Sequence, residues 1–182
     1  MYQVKNYDSL LGLTGFSDQA MNTHFALYKG YVDNTNKLLE TRDNPESRRR
    51  LGWEFNGMRL HEYYFEALSK EVKQLRQDSE LAKKIIADFG SIENWQKDFK
   101  ATALMRGIGW AILYYDPVAD KLINFWIEQH HSGHPAGLKL LLNLDLFEHA
   151  FLIDYGTKKA DYVEIFLKAV DWEKVEQRLS GV

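Results

Sequence analysis

Between Phe16 and about Met105 proline occurs once, at Pro45, and glycine is sparse. Helix breakers are the strongest local punctuation in a chain, so a stretch this free of them is committed to helices. Ser17-Asp18 offers an N-cap, and the helix it opens is expected over Gln19 to about Leu39. His24, Tyr28, Tyr31 and Leu38 fall near one face of that helix, at i, i+4, i+7 and i+14. TRDNPES at 41–47 reads as a polar turn with Pro45 as breaker. A second helix is expected from about Ser47 to Ser69, with Trp53, Gly57, Leu60 or His61, Tyr64 and Leu68 as its stripe. Two long helices joined by a short turn pack as an antiparallel hairpin. Shorter helices are expected at 79–88 and 92–105.

The character of the chain changes at Gly107-Ile108-Gly109. Trp110–Tyr115 and Lys121–Glu128 are apolar, β-prone runs, and Asp116-Pro117 between them reads as a hairpin turn. QHHSGHPAG at 129–137 reads as a loop and Leu138–Leu144 as a third strand. The tail from Asp161 to Leu179 is helical again, with Tyr162, Ile165, Phe166, Ala169 and Val170 in period. The expected fold class is α+β: an N-terminal antiparallel helical hairpin, then a small three-stranded antiparallel sheet flanked by helices. The expected division is a helical domain over 1–88 and an α/β domain over 89–182.

Composition removes several functions. The 23 Lys and Arg against 26 Asp and Glu leave a formal charge of −3, and the single basic cluster, 48–50, is flanked by Glu46 and Glu54. A nucleic-acid partner calls for a basic excess that is missing. Cysteine is absent, which excludes thiol catalysis, disulfide scaffolds and cysteine-ligated zinc or iron–sulfur centres. Apolar runs such as Leu140-Leu141-Leu142 are too short to span a membrane, and MYQVKNYDSL lacks the apolar stretch of a signal peptide. A cytoplasmic globular protein is the expectation.

Without cysteine, a tight transition-metal site must use imidazole and carboxylate. Of the six histidines, His24, His61 and His149 stand alone on helix-like or apolar segments, while His130, His131 and His134 share one loop. Asp145 ends an apolar strand-like run, and His149 lies four residues on. A carboxylate in such a run costs several kcal/mol unless paired or metal-bound. If a turn or helix start covers 145–149, the two side chains point the same way. Alone, Asp-x-x-x-His is a weak signal, and a lone histidine among aromatics is more often a satisfied core residue than a ligand. Together the four residues make a three-histidine, one-carboxylate set suited to iron, manganese or zinc, with a further position open to water or substrate.

HFALYKGYVDNTN, NGMRLHEYYFEAL, GIGWAIL, LDLFEHAFLIDY and KKADYVEIF with AVDWEKVEQRL resemble, in order, the iron/manganese superoxide dismutase family. Its Asp-x-(Phe/Trp)-Glu-His-Ala pattern is met by Asp145, Phe147, Glu148, His149 and Ala150, whereas the first 20 residues do not match its usual opening. The resemblance implies that His24, His61, Asp145 and His149 hold one ion per subunit, iron in preference to manganese. It also implies that superoxide is converted to oxygen and hydrogen peroxide as the metal alternates between two oxidation states. A zinc-filled site would be inert in that reaction.

The family places a Gln or His to donate a hydrogen bond to metal-bound solvent. Where many iron enzymes carry that Gln, this chain has Gly57, so the resemblance points to His130 as donor, with Gln129 second; His131 and His134 are expected to be solvated. Tyr31 matches the gateway tyrosine, seven residues after His24 where eight is usual, and Trp110 is expected to wall the site. Tyr28 and Leu152 replace a His and a Tyr that bond across the family's dimer interface, which implies an altered proton path. Glu148, the family's cross-subunit partner of the ligand histidine, implies a homodimer, with a tetramer as the alternative. Lys159 stands where the family has an anion-guiding Arg and keeps the charge without the planar fork.

Two alternatives remain at this level. One is a catalytically inactive structural homologue, against which the retention of all four ligands argues. The other is a non-redox zinc protein such as a hydrolase, for which no HExxH-like arrangement is present.

Overall fold

The computed structural model describes residues 1–41, 44–71 and 73–181. The first long helix, α1, runs Asp18–Glu40, and the Ser17 side chain caps it by accepting from the Ala20 amide. The second, α2, runs Pro45–Glu66, with Asn44 accepting from the Glu46 amide. Pro45 therefore opens α2 instead of merely ending the turn before it. Its missing amide is one that a first-turn position leaves unpaired anyway. Within the expected 41–47 turn, Arg42 and Asp43 lie outside the described residues. The helices α3 (Glu80–Phe89) and α4 (Ile92–Ala103) follow, each capped by a serine.

Strands β1 (Trp110–Asp116), β2 (Lys121–Ile127) and β3 (Lys139–Asp145) form an antiparallel sheet in the order β2-β1-β3. At the β1–β2 turn the Asp116 carboxylate accepts from the amides of Val118 and Ala119, as the Asp-Pro pair predicts. Register places Trp110, the first residue of β1, opposite Asp145, the last of β3. Gly109 is required just before: its φ is +141°, and a Cβ there would lie 2.0 Å from the Ile127 carbonyl oxygen.

Three helices close the chain: α5 (Glu148–Tyr155), α6 (Lys159–Ala169) and α7 (Trp172–Ser180). The single helix expected over Asp161–Leu179 is thus two. Val170 is extended and bridges to Leu68, and the Asp171 side chain caps α7 by accepting from the amides of Glu173 and Lys174. Helical periodicity continues through the break, so the pairing with Leu68, distant in sequence, overrides it.

One apolar cluster runs through both halves, from Met21 and Val32 in the hairpin to Leu142 in the sheet and Phe166 in α6. Trp95, Phe99, Tyr64 and Trp110 within it are wholly buried. Truncating a core aromatic of that size costs about 3–5 kcal/mol. The hairpin and sheet meet where the Asn143 amide of β3 donates to the Leu60 carbonyl of α2 at 2.7 Å. This contact sets β3 and the C-terminal part of α2 side by side, and the four expected ligands lie there.

Candidate metal centre

His24 projects from the second turn of α1 and His61 from the last two turns of α2, and their ring centroids stand 4.9 Å apart. Asp145 reaches the same point from the end of β3, and His149 from the first turn of α5. The turn between the last two is held by Asp145 itself. Its Oδ1 accepts from the Phe147 amide at 2.9 Å, which leaves Oδ2 free to face inward. Three imidazole nitrogens converge on that one oxygen: His24 Nε2 at 3.2 Å, His149 Nε2 at 3.1 Å and His61 Nε2 at 3.4 Å. One potential ligand atom from each residue falls within 4.8 Å of the other three.

The chemistry of these donors fits a cation. His61 Nδ1 donates to the Gly57 carbonyl at 2.6 Å, so in the neutral ring Nε2 carries a lone pair. That lone pair is buried, has no hydrogen-bond partner, and faces a carboxylate oxygen. Two electron-rich atoms in that position repel unless a positive charge lies between them. The backbone hydrogen bond on the far nitrogen is also how ligand histidines are commonly oriented.

Electrostatics agree. Burial holds the His24 ring below the usual imidazole range and His61 well below it, so both are neutral and ready to ligate. Burial alone would push the Asp145 carboxyl up, yet the facing His149 and His24 rings hold it well below the usual carboxylate range. Neutral imidazoles at His24 and His61 beside an ionised carboxylate are the protonation states a metal needs.

A second set of groups surrounds the four. Trp110 Nε1 donates to His130 Nδ1 at 3.1 Å, and His130 Nε2 lies 2.8 Å from the Tyr31 hydroxyl. An indole N–H can only donate, so His130 Nδ1 accepts, Nε2 carries the ring proton, and that proton goes to the Tyr31 oxygen. The Tyr31 hydrogen is left to point elsewhere. The Tyr31 ring lies against His61, with centroids 5.1 Å apart, in the space that Gly57 leaves: a Cβ at Gly57 would come within 2.6 Å of the Tyr31 ring. His130 is buried between the rings of Trp53 and Phe147, each 4.6 Å away. Burial pushes its imidazole down to about 4. Under Asp145, the Tyr162 hydroxyl donates to the Asp145 carbonyl at 2.9 Å and is met by Tyr64 at 3.1 Å.

Other residues singled out in the sequence lie outside this shell. Gln129 is exposed, with its carbonyl oxygen 3.5 Å from Ser132, and does not enter the site. Tyr28 is buried and donates to Glu62 at 3.0 Å while accepting from the Lys5 amide. Lys159 donates to the Met105 carbonyl at 2.7 Å and lies over the Trp126 ring. Glu148 is exposed beside Leu152, itself 50% exposed. His131 is exposed, as expected, but His134 is not a free solvated side chain: both its nitrogens are engaged. Sequence reading also passed over the support that Trp53, Phe147 and Tyr162 give. In the sequence each looks like an ordinary core aromatic; the fold sets Trp53 and Phe147 against the His130 ring and the Tyr162 hydroxyl on the Asp145 carbonyl.

A helical hairpin laid on a three-stranded sheet, with three histidines and one aspartate from four elements around a single point, defines a mononuclear metal protein. Residues 77–178 match the sequence profile described as iron/manganese superoxide dismutases, C-terminal domain. The chain is 35% identical over 165 residues to a superoxide dismutase [Mn] of Mycolicibacterium fortuitum, covering 87% of this chain and 79% of the relative. It is 32% identical over 183 residues to a superoxide dismutase [Fe] of Cupriavidus metallidurans, covering 93% and 91%. It is 33% identical over 167 residues to a superoxide dismutase [Fe] of Saccharolobus solfataricus, covering 84% and 79%. The chain belongs to the iron/manganese superoxide dismutase family.

Proposed function

We propose that the chain is a superoxide dismutase in which His24, His61, Asp145 and His149 hold one iron or manganese ion. The observation that carries this reading is the buried, unpartnered His61 nitrogen facing the Asp145 oxygen toward which His24 and His149 also point. A redox ion there supplies the one-electron exchange by which one superoxide becomes dioxygen and a second, with two protons, becomes hydrogen peroxide. Asp145 contributes the fixed negative charge that offsets part of the ion's own. Tyr31 presents its uncommitted hydroxyl hydrogen to an anion on the open side, and the His130 Nε2–H holds the Tyr31 oxygen in place. Trp110, Trp53 and Phe147 keep water from the His130 ring.

Iron is the favoured metal, because with Gly57 in place of a Gln the donor falls to His130, whose loop WIEQHHSGH resembles that of some iron-dependent members of the family. Relatives bearing either metal's name are about equally similar, so metal analysis has to decide. A homodimer built on the exposed α5 face of Glu148, Leu152 and Ile153 belongs to the same proposal, and so do steering by Lys159 and a cytoplasmic location. Tyr28, tied to Glu62, belongs with the altered proton path. The division of the chain is functional too, with His24 and His61 from the helical half and Asp145 and His149 from the α/β half.

The test is metal content and superoxide consumption on protein produced with iron or manganese supplied. About one redox ion per chain with activity supports the reading, and His61→Ala should lose both by more than about 100-fold, beyond what loss of an outer partner costs. Zinc alone, or activity that survives His61→Ala, contradicts it.

A further inference from the structure

We propose that His134 is a positioning residue: it fixes the main chain of His130 and so the ring on which Tyr31 depends. The inference rests on reading His130 as part of the metal site. It starts from a packing problem. Between Gln129 and His134 the main chain forms no hydrogen bond with other main chain among the described residues, yet this loop delivers a fully buried ring. Gly133 in the same stretch has φ +84°, so glycine adds freedom that something must remove.

His134 removes it with both ring nitrogens. Its Nε2 lies 2.8 Å from the His130 carbonyl oxygen, and its Nδ1 2.7 Å from the Tyr114 hydroxyl. A carbonyl only accepts, so Nε2 carries the proton and donates; Nδ1 accepts, and the Tyr114 hydroxyl donates to it. Tyr114 belongs to β1, four residues after Trp110. One rigid strand therefore holds His130 at two points: Trp110 grips the side chain at Nδ1, and Tyr114 grips the backbone through His134. Every donor in the set has one acceptor, so Tyr114 to His134 to the His130 carbonyl, and Trp110 to His130 to Tyr31, run in single directions. Losing the His134 link leaves the His130 main chain free to slide, and the Trp110 and Tyr31 contacts lengthen with it.

The main test uses metal-free protein, so it is independent of whether the chain dismutes superoxide, and a second readout uses metal-loaded protein. The probe is the Trp110 indole N–H in a nitrogen–proton NMR spectrum, assigned with Trp110→Phe. In His134→Phe the resonance should move upfield and its exchange with solvent should quicken at least about tenfold. His134→Gln, which keeps a donor within reach of the carbonyl, should recover part of the shift. Tyr114→Phe, which removes one hydroxyl, should show the same changes more weakly and serves if His134→Phe does not fold. In metal-loaded His134→Phe the reduction potential should differ from that of the parent. An indole signal and potential unchanged in folded variants, or a lowered thermal midpoint as the sole effect, would overturn the proposal.

Discussion

Single residues decide whether this site is ready for a metal. Gly57 is the sharpest case. It occupies a helix position where any side chain competes with the Tyr31 ring, and it lets that ring stack beside the ligand His61. Gly57→Ala should cost about 1–3 kcal/mol of stability, the usual scale for an overpacked contact. It should also lengthen the Tyr31–His130 hydrogen bond. Denaturant unfolding and the Tyr31 ring resonances check both, and a neutral or stabilising effect would show that the contact is soft. Acid sensitivity follows from the histidines. The His130 ring sits at about 4 in the folded chain, against 6.5 for an ordinary imidazole. The unfolded chain therefore binds the proton first, and the stability due to His130 is complete above about pH 6.5 and lost as pH falls toward about 4. His24 and His61, also lowered by burial, act with the same sign. The urea midpoint of metal-free protein should fall from about pH 7 to about pH 5, and less steeply for His130→Gln. A midpoint that stays level on acidification contradicts the neutral, buried imidazoles.

Elements were legible in the sequence to different depths. The hairpin of α1 and α2 and the three strands follow from breakers and periodicity. Asp145 and His149 were readable as a pair because a carboxylate in an apolar run needs a partner. The break at Val170 was not readable, since Tyr162, Ile165, Phe166, Ala169 and Val170 keep one apolar stripe across it. The cause is Leu68, far away in sequence, bridging to Val170 and leaving Asp171 to cap a new helix. Asp171→Ala should destabilise the protein by about 0.5–2 kcal/mol. Metal content should not change, because among the described residues no hydrogen bond or ion pair joins α7 to the four site residues. Calorimetry with metal analysis separates the two effects, and a large loss of metal would mean that α7 does more than pack. The role of His134 was equally hidden: a third histidine in a loop with glycine looks solvated until Tyr114 is placed above it by the sheet.

The whole molecule works by convergence. Two of the four residues come from helices of the first half, one from a strand end and one from the helix after it, and the Asn143 hydrogen bond ties β3 to α2 beside them. No local segment contains the site, so its existence is a property of the fold, whereas its residue types were visible from the sequence. The most direct check of the central claim is diffraction from crystals of iron- or manganese-supplied protein, with anomalous signal recorded on both sides of the iron and manganese absorption edges. One peak per chain is expected, bonded to His24, His61, Asp145 and His149 and vanishing below the edge of the metal supplied. A peak elsewhere, a zinc signature, or no peak between those four side chains would contradict it.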